Sequence, residues 1–211
     1  MTRHGLLWLI AIIVIFLFAP LVVRQTSYQR CYVDEMDTAF AWYKAEDVTR
    51  IVDRANTIYD WLMVQTGIDP FVRAHMTQHL EKPDTSAEKK LASLAGAHAE
   101  RMENYWSNFL QNIWLFCFRF AHSLAWFQYL APFIVAIIFD GIMTRKAKLA
   151  SFRYTSPTVY NLSWHTIIFL AAGTLVTFAI ISPLPILLYP TMLTAMGILV
   201  RLVIANIQHS A

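Results

Sequence analysis

The chain has no Cys-x-x-Cys pair, no glycine-rich phosphate loop and no nucleophile elbow. Their absence removes the local signatures of dithiol redox chemistry, nucleotide handling and triad hydrolysis. Charge is scarce as well, at 15% of 211 residues, and is missing altogether from the 18 residues Leu6 to Val23. As a helix rising about 1.5 Å per residue, that run covers roughly 27 Å, close to the hydrocarbon thickness of a bilayer. It ends in Leu21-Val22-Val23-Arg24 instead of small residues at a cleavage site, so it reads as a retained signal anchor.

What the chain has in excess is apolar surface. Its 57% hydrophobic content exceeds the roughly 45–50% of soluble domains. Three further blocks, Leu124 to Met143, Trp164 to Ile181 and Leu187 to Ile207, are long and apolar enough to cross a membrane. Ser182-Pro183-Leu184-Pro185 divides the last two, and prolines that cannot donate a backbone hydrogen bond force a turn there. The expected fold is an all-α polytopic membrane protein with four transmembrane helices.

Charge distribution orients it. Asp34 to Glu103 holds 13 of the 14 acidic residues against eight Lys or Arg, a net of minus five. Thr144-Arg145-Lys146-Ala147-Lys148 directly follows the second apolar block, and Arg3, Arg153 and Arg201 belong to the same basic set. Lys and Arg beside a spanning helix are retained on the cytoplasmic side. Both termini are therefore expected in the cytoplasm, with the acidic stretch on the other side of the membrane. The overall charge of plus three conceals this split and gives no ground for direct nucleic-acid binding.

The boundaries that follow are 1–28 for the signal-anchor span, 29–122 for an acidic helical hairpin outside the cytoplasm and continuous with the next span, 123–143 for the second span, 144–163 for a basic cytoplasmic loop and 164–211 for the third and fourth spans. Within the acidic stretch, Val48, Ile51, Val52, Ala55, Ile58, Tyr59, Leu62 and Met63 recur at helical spacing between Thr38 and Gln65. Gly67 and Asp69-Pro70 are expected to end that helix, and Phe71 to Leu80 to form a short second one. Thr85 and Glu88 make a capping box, so a helix should start at Ser86. Leu91, Ala95, Met102, Tyr105, Phe109 and Ile113 continue it at near-heptad spacing. It should run on into the membrane, with a kink near Pro132. Tyr105 to His122 mixes aromatic residues with amides, Arg119 and His122, which suits a membrane-water interface, an extra span being the alternative. Two amphipathic helices bury little apolar area alone, so a homo- or hetero-oligomer is expected.

Candidate sites are few. His75 and His79 lie one turn apart, a zinc-ligand spacing, but lack a third ligand and the metalloprotease glutamate; a solvated polar face is the simpler reading. Ser86 and Lys89 match Ser-x-x-Lys, better explained by capping. No enzyme and no cofactor are expected. Cys31 and Cys117 could form a disulfide in an oxidising compartment or remain two unpaired apolar residues, as the sequence Trp114-Leu115-Phe116-Cys117-Phe118 favours. Asp140 is expected to reach the interface or pair with Arg145, Arg201 to snorkel to the headgroups, and Arg119 to sit at the interface and not in the interior. Ala171, Ala172, Gly173, Thr177, Thr191, Ala195 and Gly197 permit close helix packing. A transport path would need several buried ionisable groups, and the sequence suggests almost none.

Phe139-Asp140-Gly141-Ile142 closing a span, then Arg145, then Phe152-Arg153-Tyr154-Thr155-Ser156 and Tyr160, then a proline-broken hairpin carrying Arg201, resembles the inner-membrane proteins of integrating conjugative elements and conjugative plasmids, including the TraJ-type protein of H-plasmids. The resemblance covers the C-terminal third closely and the rest in layout. It implies a multi-pass bacterial inner-membrane subunit of a DNA-transfer apparatus, its 29–122 hairpin in the periplasm, that associates with the TraG-type coupling ATPase of a type IV secretion system. On that reading the spans are expected to pack beside the ATPase membrane helices and the loop from Arg145 to Tyr160 to meet its cytoplasmic base, with Asp140, Arg145, Lys146, Lys148, Arg153, Tyr154, Tyr160 and Arg201 contacting partner or membrane lipids. The rival expectation is a surface-exclusion or envelope-sensing protein, with a small-solute transporter behind it.

Overall fold

The computed structural model describes the backbone of residues 2–77 and 86–207 and the side chains of 7–8, 10–74 and 101–207. All regular structure among these residues is helical. The elements are α1 (Thr2–Val22), α2 (Gln25–Trp42), α3 (Ala45–Tyr59), a π turn (Asp60–Gln65), α4 (Ile68–Thr77), α5 (Ser86–Ala150), α6 (Pro157–Ala179) and α7 (Leu188–Ala205). Three of them are long and apolar enough to cross a membrane: the Arg101–Ala150 part of α5, α6 and α7. A fourth candidate is the pair Ile10–Val22 and Gln25–Trp42, bent by 115°.

Among the described residues α5 is the longest element. No proline interrupts α5 before Pro132, and it starts at Ser86, where the sequence places it, and stays helical through Pro132 for 65 residues. It also outruns the expected boundary at Met143 by two turns, so Arg145, Lys146 and Lys148 stand on a helix and not in a loop. The reason is local: from Thr144 to Ala150 no Gly or Pro breaks the pattern. Likewise α6 begins at Pro157, seven residues before the expected start. Proline suits the first helical position, and Val159 N–H donates to Ser156 Oγ at 3.3 Å as an N-cap bond. The connection between α5 and α6 is thereby reduced to 151–156.

The acidic stretch departs further from the expected hairpin. Tyr43 and Lys44 are extended, which separates α2 from α3 and adds a helix that sequence periodicity did not resolve. Tyr28, Cys31, Glu35 and Ala39 form the buried stripe of α2, and Val48, Ile51 and Ala55 that of α3, with Met63 buried in the π turn. Gly67 at φ +77° ends this arm, a conformation glycine adopts without steric cost. Asp69-Pro70 does not terminate a helix; it lies in the first turn of α4, where a missing N–H is tolerated.

The chain divides into two compact units. One contains Met1–Ile12, His122–Phe178 and Leu184–Ala211, and the other Ile13–Ala121 and Ala179–Pro183.

Candidate functional site

In the second unit the polar centre is a buried ion pair. Arg119 on α5 is fully buried and Glu35 on α2 is 4% exposed. Arg119 Nε donates to both carboxylate oxygens of Glu35 at 3.0 and 3.2 Å, and an NH2 nitrogen donates to Oε1 at 2.5 Å. The same guanidinium donates to the carbonyls of Ile180 at 2.5 Å and Ser182 at 2.7 Å and approaches Cys31 Sγ at 3.3 Å. This overturns the interfacial placement of Arg119. The planar, five-donor fork explains why arginine fits here, since it serves a carboxylate bidentately and keeps donors for carbonyls left over at a helix end.

Other long-range bonds fix the elements around this pair. Trp106 Nε1 donates to Asp69 Oδ1 and Trp114 Nε1 to Asn56 Oδ1, each at 2.9 Å. Asn108 Nδ2 donates to the carbonyls of Pro20 and Val23, and Tyr105 OH to that of Leu17, so α5 caps the last turn of α1. Burial and then the Asp69 carboxylate push the Tyr59 phenol above its ordinary range. Between α2 and α5 a cavity of about 260 Å³ is lined by Tyr28, Gln29, Tyr32, Gln111, Trp114 and Leu115. Tyr28 OH and Gln111 Oε1 are buried there without a hydrogen-bond partner among the described residues.

In the first unit, two residues singled out from the sequence meet each other. Asp140 on α5 pairs with Arg201 Nε on α7, not with Arg145, and Arg201 is thus held by a carboxylate instead of merely snorkelling. Gly141, beside the pair, is what lets the helices approach. A Cβ there would stand 3.2 Å from the Arg201 carbonyl oxygen and 3.3 Å from Ile204 Cβ. Lys148 is also committed: its Nζ donates to Asn206 Oδ1 at 2.8 Å and to the Ala205 carbonyl at 3.2 Å, capping the C-terminus of α7 with a cation. Ser156 N–H reaches the same Asn206 oxygen at 3.4 Å. Arg145 and Tyr160 are half-buried, while Lys146, Arg153 and Tyr154 are exposed.

The small residues behave unequally. Gly197 is buried against Ile137 of α5, but nothing lies within 4 Å of a Cβ built on Gly173. Ala171, Thr177 and Ala195 are half-buried and Thr191 is exposed; the two threonine hydroxyls donate to carbonyls of their own helices. Cys31 and Cys117 are both free and buried. The His75 and His79 pair lies outside the residues whose side chains are described, and among the described residues no cluster of His, Cys, Asp or Glu is arranged to hold a metal.

Sequence reasoning missed Glu35, Asn108 and Gly141, and misplaced Arg119. Glu35 leaves a signal, an acid at the spacing of the apolar stripe Tyr28, Cys31 and Ala39. Its partner 84 positions away leaves none that local pattern could reveal.

Comparison with curated proteins and with solved structures returns no match. Residues 24–210 match the family model described as IncC plasmid conjugative DNA transfer protein DtrJ-like. That span takes in the buried Arg119 cluster, the Asp140 and Arg201 pair and all three unbent membrane-length helices, so the chain belongs to the DtrJ-like family of conjugative DNA transfer proteins.

Proposed function

We propose that the chain is a non-enzymatic inner-membrane subunit of the conjugative type IV secretion apparatus, bound to the TraG-type coupling ATPase. The observation that carries this reading is the combination of family membership with helices of membrane length whose charges are segregated. Every acidic residue but Asp140 lies N-terminal to the apolar part of α5, and Arg145, Lys146, Lys148 and Arg153 follow it. Retention of Lys and Arg in the cytoplasm then puts both termini inside and the acidic α2 to α4 region outside.

The paired state of the charges argues against a solute path. Arg119 and Glu35 neutralise each other in the interior, as do Asp140 and Arg201 at a more exposed position. α6 and α7, with exposed Leu162, Phe169, Leu175 and Ile198, offer apolar surface for lipid or for the ATPase membrane helices.

Detergent extraction from donor cells followed by affinity capture of this chain tests the association. Recovery of the coupling ATPase, together with loss of DNA transfer on deletion, supports it; absence of the ATPase and unchanged transfer removes it. Reporter fusion after Ala150 must report the cytoplasm.

The aromatic cavity with its Tyr28 and Gln111 polar atoms favours one second reading, an outward contact site of the surface-exclusion or envelope-sensing kind. Variants of these residues would then change recipient behaviour and leave donor transfer intact.

A further inference from the structure

The six-residue turn between α5 and α6 holds an arrangement that the contacts within the chain do not explain. Phe152 is 97% exposed and Tyr154 79% exposed. Phe152 also takes a left-handed backbone, φ 51°, at a helix end built as a Schellman cap. Arg153 N–H donates to the Lys148 carbonyl and Phe152 N–H to that of Leu149, and the position Phe152 fills is one that normally falls to glycine. A β-carbon is unfavourable there, so the side chain is placed at a steric cost in a spot where it meets solvent.

The base of the turn is fixed. Lys148 Nζ and Ser156 N–H converge on Asn206 Oδ1, which holds the exposed tip in one geometry against the end of α7. Beside the aromatic pair stand the exposed Lys146, Leu149 and Arg153, and no acidic residue occurs from Gly141 to the C-terminus. Because α5 and α6 are both of membrane length, a connection this short must lie at a membrane face, whichever face that is.

We propose that this turn is an interfacial anchor: Phe152 and Tyr154 enter the headgroup and upper acyl region of the bilayer, while Lys146 and Arg153 bind the phosphates of anionic lipids. Aromatic rings favour that layer, and basic residues next to a span are attracted to anionic headgroups. The assignment rests on the membrane reading given above. It reserves the tip of the turn for lipid, so that contact with a coupling ATPase falls to other surfaces.

The test uses the full chain in vesicles of phosphatidylethanolamine and phosphatidylglycerol, with an environment-sensitive fluorophore on Phe152→Cys, on Val135→Cys in α5 or on Asp53→Cys in α3. Cys31 and Cys117 are buried, and the unsubstituted chain measures their background labelling. Lipid carrying a nitroxide near its carbonyl region should quench the label at 152, and lipid carrying one near the end of its acyl chain the label at 135, each severalfold more than at 53. Aqueous iodide should quench the label at 53 most. Replacing phosphatidylglycerol by phosphatidylcholine should weaken lipid quenching at 152 and leave 135 unchanged; no change at 152 overturns the anionic-lipid assignment. A label at 152 that iodide reaches as freely as at 53, or that is shielded from both quenchers as a protein cover would do, overturns the anchor while 135 still reports lipid. Loss of lipid quenching at 135 instead removes the membrane reading and the anchor with it. Should Phe152→Cys fail to fold, Tyr154→Cys reads the same depth.

Discussion

Glu35→Ala removes the carboxylate from a guanidinium that has no solvent exposure, and its consequence follows from that burial. Arg119 retains its bonds to the Ile180 and Ser182 carbonyls, but carbonyl dipoles do not neutralise a cation in a low-dielectric interior. Breaking a buried pair by deleting one partner costs roughly 3–5 kcal/mol. At about 2–4 °C per kcal/mol for a chain of this size, the melting midpoint should fall by roughly 6–20 °C. Glu35→Gln keeps the shape and one acceptor oxygen, so its cost should be smaller. The double variant Glu35→Leu with Arg119→Met leaves neither charge stranded, and replacing both members of a buried pair is often near neutral. It should therefore melt above Glu35→Ala, although the α6 end then loses its donors. Intrinsic fluorescence melting in detergent measures the midpoints, and the alkylation rate of Cys31, which lies against the pair, reports local opening independently. Melting of Glu35→Ala with the parent chain, or a double variant whose loss equals the sum of the two single losses, would refute the claim that the pair is a coupled buried unit.

Three further outcomes are expected. Gly141→Ala should destabilise by about 1–3 kcal/mol, because α7 must move away from the new methyl group, whereas Gly173→Ala, with open space around it, should be neutral or stabilising by up to about 1 kcal/mol; paired thermal melts decide. Phe152→Gly should raise stability in detergent by about 1 kcal/mol through relief of the left-handed backbone, and a lowered midpoint would contradict the cap geometry. Alkylation under denaturing conditions should modify both Cys31 and Cys117 without reductant, as free thiols require, and under native conditions the same reagent should be slow; a mass shift that appears only after reduction would show a disulfide instead.

Helix existence was legible where the chain avoids ambiguity. The start of α5 follows from Thr85 and Glu88, its length from the scarcity of breakers, and the break between α6 and α7 from Ser182-Pro183-Leu184-Pro185. The end of α5 and the start of α6 carry signals as well: Ser156-Pro157 starts a helix and Thr144 to Ala150 contains nothing to stop one, so the basic cluster lies on a helix where its charge alone suggests a loop. The break at Tyr43 and Lys44 has no such marker, since neither residue is a breaker. The pairings belong to a different order of information. Asp140 and Arg201 lie 61 positions apart and Arg119 and Glu35 lie 84 apart, distances at which local pattern carries no signal.

Those distant polar contacts settle a question that the apolar pattern of α5 leaves open. The near-heptad repeat does not mark the buried face, since Met102 is exposed and Tyr105, Phe109 and Ile113 are half-buried. The face that α5 turns to its neighbours is centred on the buried Leu110, Leu115, Cys117 and Phe118, apolar side chains that a slip of one heptad, roughly 10 Å at about 1.5 Å per residue, could replace with others. Trp106 with Asp69, Trp114 with Asn56 and Arg119 with Glu35 occur once each along that face. One slip breaks all three and strands a buried arginine, at a cost no substitute apolar contact offsets. The second unit therefore takes the register of α5 from residues that apolar spacing alone would class as misfits, in the way a single buried polar residue sets the register of a coiled coil.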